Sequence, residues 1–183
     1  KQMAKDLQDF WRQMNKDKAY TSWGWGYLGL YKGFTSKPSL FDNTPLKELI
    51  EDLVKKRTIQ RKLTIGVTDA THVTSISYKA NTLTQEQLSK AILASTSMPF
   101  VFPYMKTDDA LLVDGGVLFN VDVESAIDEC RAMGFSDENI VIDVILPTGA
   151  QLSEMDPHKF YTGWEMYKRY KEMTAFKFAL EDI

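Results

Sequence analysis

Met3, Leu7, Phe10 and Met14 recur at spacings of three and four, which predicts an amphipathic helix over Lys1 to Lys18. No capping residue precedes it, as expected of a sequence that starts inside an element. Between Tyr20 and Phe34 the periodicity stops. Six of these fifteen residues are aromatic and four are glycine, a pattern that predicts an irregular loop whose rings pack on a core. Thr44 as N-cap and Pro45 at the first helical position open a helix predicted to run to about Lys56, with Leu46, Leu49, Ile50 and Leu53 on one face. Lys55, Lys56 and Arg57 favour the negative end of its dipole.

Further along, strands and helices alternate. Leu63 to Thr68 reads as a buried strand and Thr71 to Tyr78 as a half-exposed one. Thr84 and Gln87 form a capping box for a helix carrying Leu88, Ile92 and Leu93, which Pro99 must end. Ala110 to Val113 is a short strand leading into Asp114-Gly115-Gly116. A helix follows from Asp122, with Val123, Ile127 and Cys130 on one side and Gly134 at its close. Ile140 to Leu146 reads as another buried strand. From about Asp156 to Glu181 a helical stretch carries a wide stripe of Phe160, Trp164, Met166, Tyr167, Tyr170, Lys171 and Met173, expected to pack on the domain or on a partner. The alternation argues for an α/β layered fold with a largely parallel sheet, and for a single α/β unit over residues 1–183. Within it, 1–38 form a helix and an aromatic-glycine loop, 39–147 the layered portion, and 148–183 a helical extension.

Composition narrows the function classes. The 183 residues contain 44% hydrophobic and 26% charged residues, as in ordinary folded domains. Twenty-two basic and twenty-five acidic side chains are interspersed, so no broad basic surface invites nucleic acid. Cys130 is the only cysteine, which excludes an internal disulfide and a zinc site built on several thiolates. No stretch approaches the roughly 20 apolar residues of a membrane span, and no charged start followed by an apolar run reads as a signal peptide.

Three motifs bear on chemistry. Gly24-Trp25-Gly26-Tyr27-Leu28-Gly29 matches G-x-G-x-x-G, but a phosphate or oxyanion loop needs a strand before it and a helix after it, and neither flank reads that way. His72 and His158 invite a search for a Ser-His-Asp triad. No G-x-S-x-G occurs in the chain, however, and both histidines read as surface residues. Thr68 and Asp69 read as a turn after a strand, and Ser95 and Ser97 as residues at a helix end. The third motif is Asp114-Gly115-Gly116. An aspartate at the end of a buried strand, followed by residues that permit close backbone approach, can project its carboxylate into a site at the sheet edge.

Ala94-Ser95 with Pro99 and Phe102-Pro103, leading into Leu111 to Val113 and Asp114-Gly115-Gly116, resembles the patatin-like phospholipase family. Ser39 to Leu46 and Gly66-Val67-Thr68-Asp69 resemble its preceding segments, and Asn120, the Val123 to Cys130 helix and Ile140 to Leu146 its following ones. The resemblance thus covers about Ser39 to Pro147. It implies a three-layer α/β fold with a mainly parallel central sheet, and acyl-ester hydrolysis by a Ser-Asp dyad. Asp114 would be the dyad aspartate, Gly115 and Gly116 would shape its turn, and neither cofactor nor metal is required. The implied partners are a lipid acyl-ester substrate and transient contact with a membrane surface.

The family's glycine-rich oxyanion loop and G-x-S-x-G elbow precede these segments and find no counterpart here. The expectation is therefore that the chain is the C-terminal portion of a hydrolase whose serine lies outside it, on the N-terminal half of the domain in the same or a separate chain. The alternative is a scaffold that has kept the fold without the chemistry.

Overall fold

The computed structural model describes residues 2–119, 121–145, 162–163, 166, 168–169 and 171–174. The chain divides into two compact units, Lys1–Val117 and Leu118–Ile183.

In the first unit the N-terminal pattern becomes two helices, α1 (Gln2–Gln13) and α2 (Lys16–Ala19). They are separated at Asn15, whose side chain accepts from the Lys18 backbone N–H and caps the second. Next come β1 (Thr21–Ser22), α3 (Gly26–Thr35), β2 (Phe41–Asp42) and α4 (Thr44–Lys56). Strands β1 and β2 pair antiparallel. Asn43 occupies the N-cap position of α4, and Asp42 Oδ1 accepts from both the backbone N–H and the hydroxyl of Thr44. The cap thus falls one residue before Thr44.

The segment expected to be a loop over Tyr20 to Phe34 is instead largely the helix α3. Glycine has low helix propensity, yet here it permits close packing. A Cβ on Gly29 would stand 2.5 Å from the Gly24 carbonyl oxygen, and one on Gly33 would stand 2.7 Å from that of Leu40. Only part of the expected ring packing occurs. Tyr20 packs on Phe41 at 4.7 Å between centroids, and Trp23 Nε1 donates to the Ser39 carbonyl at 2.9 Å. The rings of α3 itself face solvent.

The main sheet has four strands: β3 (Thr64–Asp69), β4 (Thr74–Lys79), β5 (Met105–Lys106) and β6 (Leu111–Asp114), in the order β4-β3-β6-β5. Every pairing among the described residues is antiparallel, in contrast to the mainly parallel sheet expected. Alternation with helices suggested parallel crossovers. The short Asp69–Thr74 connection instead folds β4 directly back onto β3 as a hairpin.

Helix α5 (Gln85–Ser95) starts at Thr84 with the full capping box, Thr84 and Gln87 exchanging side-chain and backbone bonds. It packs on β3 and β6, and α4 packs on α5. The core consists of Ile65, Val67, Leu88, Ala91, Ala94 and Leu112 with Ala80. Helix α5 ends at Ser95, four residues before Pro99, because the chain turns through Thr96 and Ser97.

In the second unit, Asp122 caps α6 (Val123–Ala132) by accepting from the Ser125 backbone N–H. Gly134, with φ +88°, closes it as expected. Arg131 forms two 2.8 Å bonds to Asp137 and holds that carboxyl below its ordinary range. The strand expected over Ile140 to Leu146 does not form over 140–145. No described strand pairs with these residues, and Val141 and Ile145 stand exposed. An apolar run becomes a buried strand only where neighbours complete its ladder. Leu146 and, from the C-terminal stripe, Phe160, Trp164, Tyr167 and Tyr170 lie outside the described residues, as does His158. Met166, Lys171 and Met173 fall on helical turns, with both methionines exposed.

This core assignment sets an expectation for stability. Val67→Ala, at a side chain with no exposed surface, should cost about 1–3 kcal/mol in urea unfolding, whereas exposed Val141→Ala should stay within about 0.5 kcal/mol. Equal effects at the two sites would contradict the core described here.

Candidate active site

Asp114 is the last residue of β6 and stands opposite Val67 of β3. Its backbone is fixed from two sides. The register with β3 sets its position along the sheet, and its N–H donates to the Ser97 carbonyl at 3.0 Å, tying it to the turn after α5. The chain then leaves the strand in a single 3-10 turn, Gly115–Val117.

Gly115 is buried, and a Cβ there would stand 2.5 Å from the Gly66 carbonyl oxygen and 2.7 Å from its carbon. Only glycine lets the turn fold this tightly against β3, since the obstructing atoms are backbone. Thr68, also buried, donates its hydroxyl to the Gly115 carbonyl at 3.3 Å and secures the turn from the other side. Gly116 is exposed, and its N–H donates to Asp114 Oδ1 at 2.8 Å.

The carboxyl is half-buried. Among the described residues Oδ1 has this one donor and Oδ2 accepts no hydrogen bond. Burial pushes the Asp114 pKa above the ordinary carboxylate range, and the Gly116 N–H pulls weakly the other way. The result is a carboxylate of increased basicity with one oxygen open to a proton-bearing group. Among the described residues no histidine bonds to it.

His72 is engaged elsewhere. It sits in the turn between β3 and β4 rather than in the strand expected there, and its Nδ1 lies 2.6 Å from Asp69 Oδ2. Asp69, buried at the end of β3, also accepts from the backbone N–H groups of Thr71 and His72 through Oδ1. The bond to His72 holds its carboxyl below the ordinary range, with these backbone donors adding to the effect against burial. Asp69 thus organises the hairpin turn from the last position of β3: the pair is structural, but both residues belong to the strand rather than to a turn after it.

Ser97 is 1% exposed and donates its hydroxyl to the Leu93 carbonyl at 2.8 Å, a geometry that leaves no attacking oxygen at the surface. Ser95 closes α5. Residue patterns gave no sign of the part played by Ser97, because its contribution to Asp114 is a backbone carbonyl. The glycine motif is followed by a helix after all, since α3 begins at Gly26. The strand before it has only two residues, and the glycines serve the close contacts described above. No three His, Cys, Asp or Glu among the described residues are grouped to hold a metal ion.

A patatin-like phospholipase family model matches residues 1–127. The chain belongs to this family. The patatin-like match includes the first helix and the glycine-aromatic segment, to which the sequence resemblance did not extend, and it ends before the unformed strand at 140–145. At the family level, the patatin-like domain is a mixed α/β unit associated with lipid acyl hydrolysis. No curated protein matches the chain.

The raised pKa makes a prediction with a definite sign. The folded state retains the Asp114 proton to higher pH than the unfolded state. Stability is therefore lost as pH rises from the unfolded value, about 3.9, through the folded one. Asp114→Asn, which keeps the acceptor for Gly116, should equal or exceed the wild type in thermal stability at neutral pH, and should lose any advantage by about pH 3. A destabilisation of equal size at both pH values would show that the side chain holds the turn rather than bearing a burial cost.

Proposed function

We propose that this chain supplies the aspartate arm of a Ser-Asp lipid acyl hydrolase, with the nucleophilic serine outside the 183 residues. The observation that carries the reading is the half-buried Asp114 carboxylate at the strand end, with Oδ2 unengaged among the described residues and its basicity raised by burial. The serine would come from the N-terminal half of the domain, in the same or a separate chain. That half would also extend the sheet toward the three-layer, mainly parallel arrangement.

In this scheme the serine Oγ bonds to the ester carbonyl carbon while its proton passes to Asp114 Oδ2. The tetrahedral intermediate collapses and the alcohol leaves with that proton. Water then attacks the acyl-enzyme, giving its own proton to Asp114, and the fatty acid is released as serine is restored. Backbone N–H groups of a glycine-rich loop, also outside the chain, would hold the oxyanion. Gly115 and Gly116 keep the aspartate at the edge, and no metal or cofactor takes part. Substrates are acyl esters of glycerophospholipids or neutral lipids, met at a membrane surface, and nucleic acid is no partner.

The second reading, a patatin-fold scaffold without turnover, is favoured by one observation, the lack of G-x-S-x-G within these residues. Asp114→Asn in the full-length protein separates the two. On a short-chain soluble ester the dyad reading expects turnover to fall by about 10²–10⁴-fold with the fold retained. The acid limb of the wild-type pH profile should lie above the ordinary carboxylate range and vanish in the variant. Wild-type turnover in a folded Asp114→Asn protein would remove Asp114 from the chemistry, and no turnover in the wild type would favour the scaffold.

A further inference from the structure

Helix α3 is inside out by the rules of a globular helix. Its small residues, Gly29 and Gly33, face the body of the unit and are buried. Its large apolar residues face water: Tyr27 is 91% exposed, with Leu28, Tyr31 and Phe34 exposed on the same arc, and Trp25, just before the helix, is 94% exposed. Phe100 extends the ridge, its ring 5.9 Å from that of Phe34. It does so at a backbone φ of +73°, a strained conformation for a bulky residue.

Charge gives the ridge a direction. From Lys18 to Phe41 the chain carries Lys18, Lys32 and Lys37 and no acidic residue, although the whole chain has a net charge of -3. Lys37 Nζ also sits 5.0 Å over the Trp23 ring. Exposed tryptophan and tyrosine on a stretch that carries lysines and, between Asp17 and Asp42, no acidic residue is the chemistry that settles at the headgroup level of an anionic bilayer.

The ridge is joined to the candidate active site. Phe100 lies three residues from Ser97, whose carbonyl accepts the Asp114 N–H, and Met98 between them is exposed. From these observations we infer that α3, with Trp25 and Phe100, is the surface by which the protein docks on anionic lipid. The inference rests on the lipid acyl hydrolase reading for its partner and specifies where that partner is met.

The test is cosedimentation of the full-length protein with vesicles of phosphatidylcholine plus phosphatidylglycerol, beside vesicles of phosphatidylcholine alone. The wild type should prefer the mixed vesicles. Trp25→Ala combined with Tyr27→Ala should weaken binding by about tenfold or more, and Lys32→Glu should weaken binding to the mixed vesicles alone by about fivefold or more. These side chains stand in solvent, so circular dichroism melts should match the wild type.

Wild-type protein that binds neither vesicle, or a folded double variant that binds as well as the wild type, overturns the inference. So does hydroxyl-radical footprinting in which Trp25 is protected without lipid, since another protein surface then covers the ridge. Binding is read without turnover. Its failure leaves the Asp114 assay standing, and a failed Asp114 assay leaves the binding result standing.

Discussion

The Gly115 backbone lies against Gly66 of β3 so closely that no side chain fits between them. The geometry of the candidate site depends on this contact. It forces the chain to leave β6 in a tight turn, and that turn delivers the Gly116 N–H to Asp114 Oδ1. It also brings the Gly115 carbonyl within reach of the buried Thr68 hydroxyl. Asp114 is thereby held by strand register, by the Ser97 carbonyl and by its own turn, with one carboxylate oxygen that no described residue engages. A group fixed in this way has little conformational freedom left to lose when it acts, which is what a positioned base requires.

Burial gives the same carboxylate its chemical character. An unperturbed aspartate is a weak base at neutral pH, and His72, the one histidine among the described residues, is committed to Asp69 in the β3–β4 turn. Partial desolvation raises the basicity of Asp114 without a second residue. The cost falls on the stability of the folded state, a common arrangement where structure and chemistry make opposite demands on one group.

Much of this was legible in the residues, and the limits follow from the range of the forces involved. The Thr84–Gln87 capping box, the β3 strand, the start of β6 and the Gly134 helix stop depend on local chemistry, and each formed close to where the pattern put it. The antiparallel direction of the sheet depends on which strands meet, which periodicity does not encode. Helix α3 was illegible because glycine spacing reads as a loop until Gly24 and Leu40 are seen beside it. Over 140–145 the converse holds: the apolar, β-branched residues promise a strand, but the described structure offers them no ladder. At the site, Asp114 and its glycines stood out as a motif, while Ser97 and Thr68 contribute through contacts that only the fold brings together.

The central claim is that Asp114 works with a serine beyond these residues. A fluorophosphonate that reacts with activated serines, followed by peptide mass spectrometry of the full-length protein, tests it most directly. The account predicts a single adduct on a serine outside the 183 residues, formed far more slowly in Asp114→Asn. An adduct on a serine within this chain, or labelling unaffected by the substitution, would contradict it.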